Sequence, residues 1–167
     1  MTHTRNVLNS AAAPPRGYER APFLHDGWVL SEQIAAWGTA AFHEPATPQS
    51  IRAAEVKLGA PLPSELRDLL SETDGVVGEY GLGLVWTAER IGEDNARFRS
   101  DPEFADLYLP FEGLVFFSDA GNGDQFAASL RGAQDVYVWN HEDDSRVWVA
   151  STVLDFLRRW MTDELNI

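Results

Sequence analysis

Four short segments rich in aromatic and β-branched residues follow one another between residues 112 and 150, and the connections between them are short. The segments are residues 112–118, 125–130, 135–140 and 146–150. A crossover between parallel strands needs about a dozen residues, and none of these connections reaches that length. The second half of the chain therefore predicts an antiparallel sheet built from consecutive hairpins.

The first half of the chain carries helical patterns with clear boundaries. Thr47 and Pro48 are the residue types preferred at the N-cap and at the first position of a helix, and Gly59 is the type that ends one. A second helix is predicted over residues 64–73, where leucines recur at helical spacing after a proline-rich corner. These two helices are expected to form a compact unit.

Three further helices and one more strand complete the expected fold. We predict a helix that starts at Ser31 and ends before Pro45, further helices from Thr87 and from Thr152, and a strand over residues 82–86. Residues 136–139 are apolar on both faces, which predicts a central strand covered by helices. The expected fold class is α+β, with an antiparallel sheet of about four to six strands flanked by helices.

The length of 167 residues fits one domain. Residues 1–26 show breakers and no sustained periodicity, which predicts a flexible N-terminal arm, and residues 27–167 are expected to form a single domain. The absence of cysteine excludes a disulfide scaffold, a thiolate zinc site and a cysteine nucleophile. No apolar run is long enough to span a bilayer and no signal peptide is recognisable, so we expect a cytoplasmic protein.

The charge of the chain is strongly acidic and unevenly distributed. The net charge is −13, and residues 101–144 hold ten acidic residues against one base, Arg131. Phosphate binding needs lysine and arginine, so we expect neither nucleic acid nor an anionic membrane as a partner. A basic protein or a cation fits this charge. A surface that only keeps the protein in solution is the alternative interpretation.

The connections 119–124 and 141–145 are the candidate protein-binding site. They hold five acidic residues and no base, and consecutive hairpins place alternate connections at the same end of a sheet. We therefore expect a basic partner to dock there. The candidate residues are Asp119, Asn122, Asp124, His141, Glu142, Asp143 and Asp144.

The same region invites other interpretations. The glycine-rich segment 118–125 lacks the Lys-Ser/Thr of a phosphate loop, and Gly121 and Gly123 stand where a calcium loop needs oxygen ligands. His141 and the three acids after it are possible metal ligands together with Asp124, but no second histidine follows at helical spacing. No serine lies in a nucleophile-elbow pattern. We predict no catalytic residue, no cofactor and no metal, and we interpret Asn95 as a buried amide that satisfies backbone groups.

The order of several short motifs resembles the SUKH superfamily, the Smi/Knr-like proteins. The resemblance covers roughly residues 28–162, and Asp74-Gly75 stands where the family commonly has Asn-Gly. The motifs that carry it are Ile51-x-x-x-Glu55-x-x-Leu58-Gly59-x-x-Leu62-Pro63, Asp74-Gly75, Trp86, Ile91, Asn95, Pro110-Phe111, Leu114-x-Phe116-Phe117, Gly121-x-Gly123-Asp124, Val136-Tyr137-Val138-Trp139-x-His141-Glu142 and Val149-Ala150-Ser151.

The resemblance implies an α+β fold and a role in protein binding. Bacterial relatives look like immunity proteins that neutralise polymorphic toxins, including nucleases, in the cytoplasm. Fungal relatives are described as scaffolds or regulators of cell-wall synthesis, which is the alternative function. The family is not known for catalysis, so no catalytic residue carries over. An enzyme or a metal-dependent small-molecule binder that uses Asp124 and His141 is a third hypothesis.

Overall fold

The computed structural model describes residues 29–165 and residue 167, so the predicted N-terminal arm lies outside the described residues. Six α-helices and seven β-strands lie within the described part of the chain. The elements are α1 (Leu30–Ala35), β1 (Ala41–Phe42), α2 (Pro48–Leu58), α3 (Ser64–Glu72), β2 (Val76–Val77), β3 (Gly83–Val85), α4 (Ala88–Ser100), α5 (Pro102–Leu107), β4 (Leu114–Asp119), β5 (Gln125–Ser129), β6 (Val136–Trp139), β7 (Arg146–Ala150) and α6 (Val153–Met161).

The four late strands form one antiparallel sheet in the order β4-β5-β6-β7. Each strand pairs with the next one along the chain, so the predicted hairpins are confirmed. The ladder between β4 and β5 is irregular between Phe116 and Ser118. Alternate connections therefore lie at the same end of this sheet.

The three early strands form a second, smaller antiparallel sheet in the order β1-β2-β3. The α+β class is confirmed, and within the described residues the strands are divided between two sheets. The sheets meet where Trp86, just after β3, donates its backbone N–H to the carbonyl of Phe117 in β4 at 2.8 Å. Only β3 was predicted from the sequence, because β1 and β2 have two residues each and are too short to show an alternating pattern.

The predicted helix boundaries are mostly confirmed. The side chains of Thr47, Thr87 and Thr152 accept backbone hydrogen bonds at the starts of α2, α4 and α6. Gly59 ends α2 in the left-handed conformation, with φ of 67°. The prediction for the first helix was too long, because α1 ends at Ala35, with Ala36 as its C-cap, and Ala41 already begins β1.

Helices cover both faces of the four-stranded sheet. On one face Phe126 of β5 packs against Phe156 of α6, with ring centroids 4.4 Å apart. On the other face Phe116 of β4 packs edge to face on Phe98 of α4, with centroids 5.3 Å apart. All four rings are buried. The sheet is therefore a rigid layer, and the loops at its ends are held in fixed positions.

Candidate protein-binding site

The β4–β5 loop (residues 120–124) and the β6–β7 loop (residues 140–145) lie side by side at one end of the four-stranded sheet. His141 Nδ1 is 2.7 Å from Asp124 Oδ1, and the backbone N–H of His141 donates to the same oxygen at 3.2 Å. Asp124 is only 9% exposed. The two loops predicted to share an end are thus joined through one carboxylate.

The β4–β5 loop is shaped by its own side chains and glycines. Asn122 donates from Nδ2 to Asp124 Oδ2 at 3.1 Å and accepts from the backbone N–H of Asp124 at 3.0 Å. Gly123 has φ of 101°, and a Cβ at this position would lie 2.8 Å from His141 Cε1. Asn122 and Gly123 therefore hold Asp124 in place beneath His141.

Asp119, at the end of β4, is neutralised by a helix of the first half of the chain. Its two oxygens accept from Arg90 Nη1 at 2.9 Å and from Nη2 at 3.0 Å, and Trp86 Nε1 donates at 2.9 Å. Burial opposes the charge of the guanidinium, but hydrogen bonds to Asp119 and Asp94 outweigh it and raise the pKa of Arg90 above its usual value. This bidentate pair joins α4 to the end of the sheet.

Asp144 is also held inside the fold. Its Oδ1 accepts from Trp139 Nε1 at 2.8 Å and from Arg146 Nη2 at 3.1 Å, and its Oδ2 accepts from the backbone N–H of Leu109 at 2.7 Å. These three donors keep Asp144 at a φ of 59°, a conformation that aspartate tolerates better than most residues. Its negative charge is matched by the buried guanidinium of Arg146.

Glu142 and Asp143 are the two acidic candidates that stay exposed at the tip of the β6–β7 loop. Hydrogen bonds from Ser145 hold the pKa of Asp143 below its usual value, so this carboxylate is ionised at neutral pH. Neither Glu142 nor Asp143 forms an ion pair with another described residue. Of the five acids counted in these connections, these two are exposed and have no ion-pair partner among the described residues.

Two of the open cavities in the described part of the chain share a wall near the β4–β5 loop, and neither was predicted from the sequence. One, of about 560 Å³, lies between the β4–β5 loop and a turn that connects β2 to β3. The other, of about 590 Å³, lies between that turn and the end of α6. We call residues 78–82 the Tyr80 turn, after its central residue.

The described residues contain no group of three or more histidine and acidic side chains placed to hold a metal ion. Within the same part of the chain, no helix is long and apolar enough to cross a membrane.

In a comparison with models of protein families, the sequence matches the SMI1/KNR4 family (SUKH-1) over residues 45–159. This range covers most of the chain. It includes α2, all four strands of the larger sheet and the larger part of α6. The chain belongs to this family. A comparison with curated proteins finds no match.

Two acidic residues of the motifs that carry the family resemblance, Glu55 and Asp74, form hydrogen bonds between elements of the fold. Glu55 accepts from the backbone N–H of Leu62 at 3.0 Å and from Arg67 Nε at 3.1 Å, which closes the corner between α2 and α3. Asp74 accepts from the backbone N–H of Ala88 at 2.7 Å, at the start of α4. These two motif carboxylates therefore join elements of the fold.

Proposed function

We propose that this SUKH protein is a non-catalytic immunity protein that binds and neutralises a cognate polymorphic toxin, such as a nuclease, in the cytoplasm. Membership of the SMI1/KNR4 family carries the proposal, because binding to other proteins is the general role of the family. The net charge of −13 supports the further proposal that the toxin is a basic protein. An acidic inhibitor of a basic nuclease associates quickly and competes with the phosphates of its substrate.

The end of the sheet that carries the β4–β5 and β6–β7 loops is the proposed contact surface. Its loops are fixed by the Asp124–His141 contact and by the ion pairs of Asp119 and Asp144. A surface that is already ordered loses little conformational entropy on binding. Glu142 and Asp143 supply free negative charge at its rim.

Co-expression tests this function. Each secreted toxin domain encoded in the genome that carries this chain is expressed in a bacterial host with and without the protein. We expect growth to be rescued for one toxin, and the pair to elute as one complex in size-exclusion chromatography. If none of these toxins is neutralised, the immunity function is wrong and the Smi/Knr-type regulatory role takes its place.

Charge reversal at the loop tip tests the contact surface. Glu142→Lys with Asp143→Lys should lower the association rate constant with the rescued toxin at least about tenfold at low salt and should not lower the melting temperature below that of the control double variant. Asp144 is left intact, because three donors bind its carboxylate and its loss would disturb the fold.

The matched control reverses two exposed acids on α1 and α3, Glu32→Lys with Asp68→Lys. The start of α3 contacts the β5–β6 connection, at the opposite end of the sheet, through Ser64 and Gln134. Both double variants change the net charge by the same amount. Equal effects on the association rate would place the contact surface elsewhere.

A further inference from the structure

Tyr80 is held in a strained conformation that the fold does not require. Its φ and ψ are 57° and 20°, the left-handed region that a bulky side chain rarely adopts. The two other non-glycine residues with positive φ in the described part of the chain are Asp144 and Asp163, and aspartate tolerates this region. Residues in such conformations cluster at functional sites.

The side chain of Tyr80 contributes nothing to the packing of the described residues. It is fully exposed, at 104% of its reference area. The turn is closed by backbone hydrogen bonds alone: Gly78 N–H donates to the Leu82 carbonyl at 2.8 Å, and Leu82 N–H donates to the Glu79 carbonyl at 3.1 Å. A glycine at position 80 would form this turn with less strain. The packing of the described residues therefore does not explain a tyrosine at this position.

The Tyr80 turn forms a ridge between the two open cavities. Glu79, Tyr80 and Leu82 line both of them. The far wall of the first cavity is the β4–β5 loop, and the far wall of the second includes Trp160 and Asp163 at the end of α6. An exposed aromatic ring on a ridge between hollows resembles the aromatic anchors that supply much of the energy at protein interfaces.

The groups that line the two cavities favour a cation. The charged residues among them are all acidic, and Glu79 and Asp163 are exposed and form no ion pair with another described residue. A guanidinium group suits this arrangement, because it stacks on an aromatic face and donates several hydrogen bonds in one plane.

We propose that Tyr80 is the anchor by which this protein binds a basic partner protein, and that an arginine of the partner enters the cavity between the Tyr80 turn and the β4–β5 loop. This inference rests on the proposed function for the identity of the partner, and it adds the surface and the chemistry of recognition. The arginine side chain stacks on the Tyr80 ring and forms an ion pair with the Glu79 carboxylate.

Substitutions at position 80 separate binding from stability. Tyr80→Gly should raise the melting temperature or leave it unchanged, because glycine adopts positive φ without strain. The same variant should weaken the complex with the neutralised toxin at least about thirtyfold, as expected for the loss of an interface anchor. Tyr80→Phe keeps the aromatic face and should bind within about threefold of the unmodified protein.

Val56→Ala is the matched control, because Val56 is another exposed apolar residue, at 80% of its reference area, on the outer face of α2. This variant should bind as the unmodified protein does. If Tyr80→Gly binds the toxin as tightly as Val56→Ala does, Tyr80 is not the anchor and the proposal is overturned, while the immunity function stands.

A titration with a peptide tests the arginine cavity without any toxin. The probe is acetyl-Gly-Arg-Gly-amide at millimolar concentration, followed by 1H–15N correlation spectra of the whole chain. We expect the largest shifts at Gly81 and Gly121, which line the first cavity, and their loss in Tyr80→Gly. The citrulline peptide, which has the same shape without the charge, should leave these signals in place.

Shifts that are spread over exposed acids such as Glu103 and Glu142, or that persist in Tyr80→Gly, would overturn the arginine cavity. Localised shifts in a protein that neutralises no toxin would contradict the proposed function and support the Tyr80 site. These outcomes therefore distinguish a failure of the proposed immunity function from a failure of the Tyr80 site.

Discussion

Asn95 shows how one buried side chain secures the edge of a sheet. β4 is an edge strand of the four-stranded sheet, and unpaired backbone groups on such an edge are costly when buried. Asn95 is 1% exposed, accepts from the backbone N–H of Phe116 at 2.8 Å, and donates to the carbonyls of Phe116 and Ile91 at 2.8 Å. Its amide thus takes the place of a neighbouring strand.

We expect Asn95→Ala to lower the free energy of unfolding by about 2–4 kcal/mol, because two buried backbone groups of Phe116 lose their partner. The measurement is urea denaturation followed by tryptophan fluorescence. Glu93→Ala, on the exposed side of the same helix, should cost less than about 1 kcal/mol, since its ion pair with Lys57 is exposed. A loss below about 1 kcal/mol for Asn95→Ala would contradict this role.

The charge state of the candidate site could be predicted from the sequence only in part. Arg146 follows Asp144 by two positions, so their pairing is a local pattern that a sequence can indicate. Arg90 precedes Asp119 by 29 positions, and only the packing of α4 against the sheet brings the two together. The count of five acids without a base was correct for the loops, but it omitted bases that the fold supplies from elsewhere.

Among the elements, those defined by local patterns were predicted and those defined by tertiary packing were not. The four late strands follow from short connections and aromatic content, and α2 follows from Thr47 and Gly59 at its ends. The two-residue strands β1 and β2 exist because they pair with each other and with β3. The short helix α5, capped by Asp101, was also not predicted, because its six residues are too few to show a helical period in the sequence.

The contact between the β4–β5 and β6–β7 loops makes a prediction about Gly123. In Gly123→Ala the alanine must adopt a φ of 101°, and its Cβ would clash with the ring of His141. We expect a loss of unfolding free energy of about 2–4 kcal/mol, which combines backbone strain with a steric clash. Chemical denaturation measures it.

Gly59→Ala is the control for Gly123→Ala, because Gly59 has φ of 67° and no atom within 4 Å of an added Cβ. It should cost only the backbone strain, about 1–2 kcal/mol. Equal losses for the two variants would mean that the His141 ring moves aside freely and does not fix the loops.

At the scale of the whole molecule, the ion pairs leave a large negative charge uncompensated. Arg90 and Arg146 neutralise Asp119 and Asp144, yet the chain carries a net charge of −13. Such a charge keeps proteins apart in solution, speeds association with a basic partner and destabilises the folded state through repulsion. The acidic surface thus favours binding at the expense of the stability of the free protein.

Salt should therefore stabilise the free protein. The Debye length falls from about 30 Å at 0.01 M to about 8 Å at 0.15 M ionic strength, which screens repulsion across the surface more than it weakens the partly buried pair of Arg90 and Asp119. We expect the melting temperature to rise by about 2–4 °C over this range, which corresponds to about 1 kcal/mol for a chain of this size.

Glu142→Lys with Asp143→Lys lowers the magnitude of the net charge by four units, so the melting temperature of this double variant should rise less with salt. A melting temperature that falls with salt would mean that the ion pairs, rather than the net repulsion, dominate the electrostatic free energy of the fold.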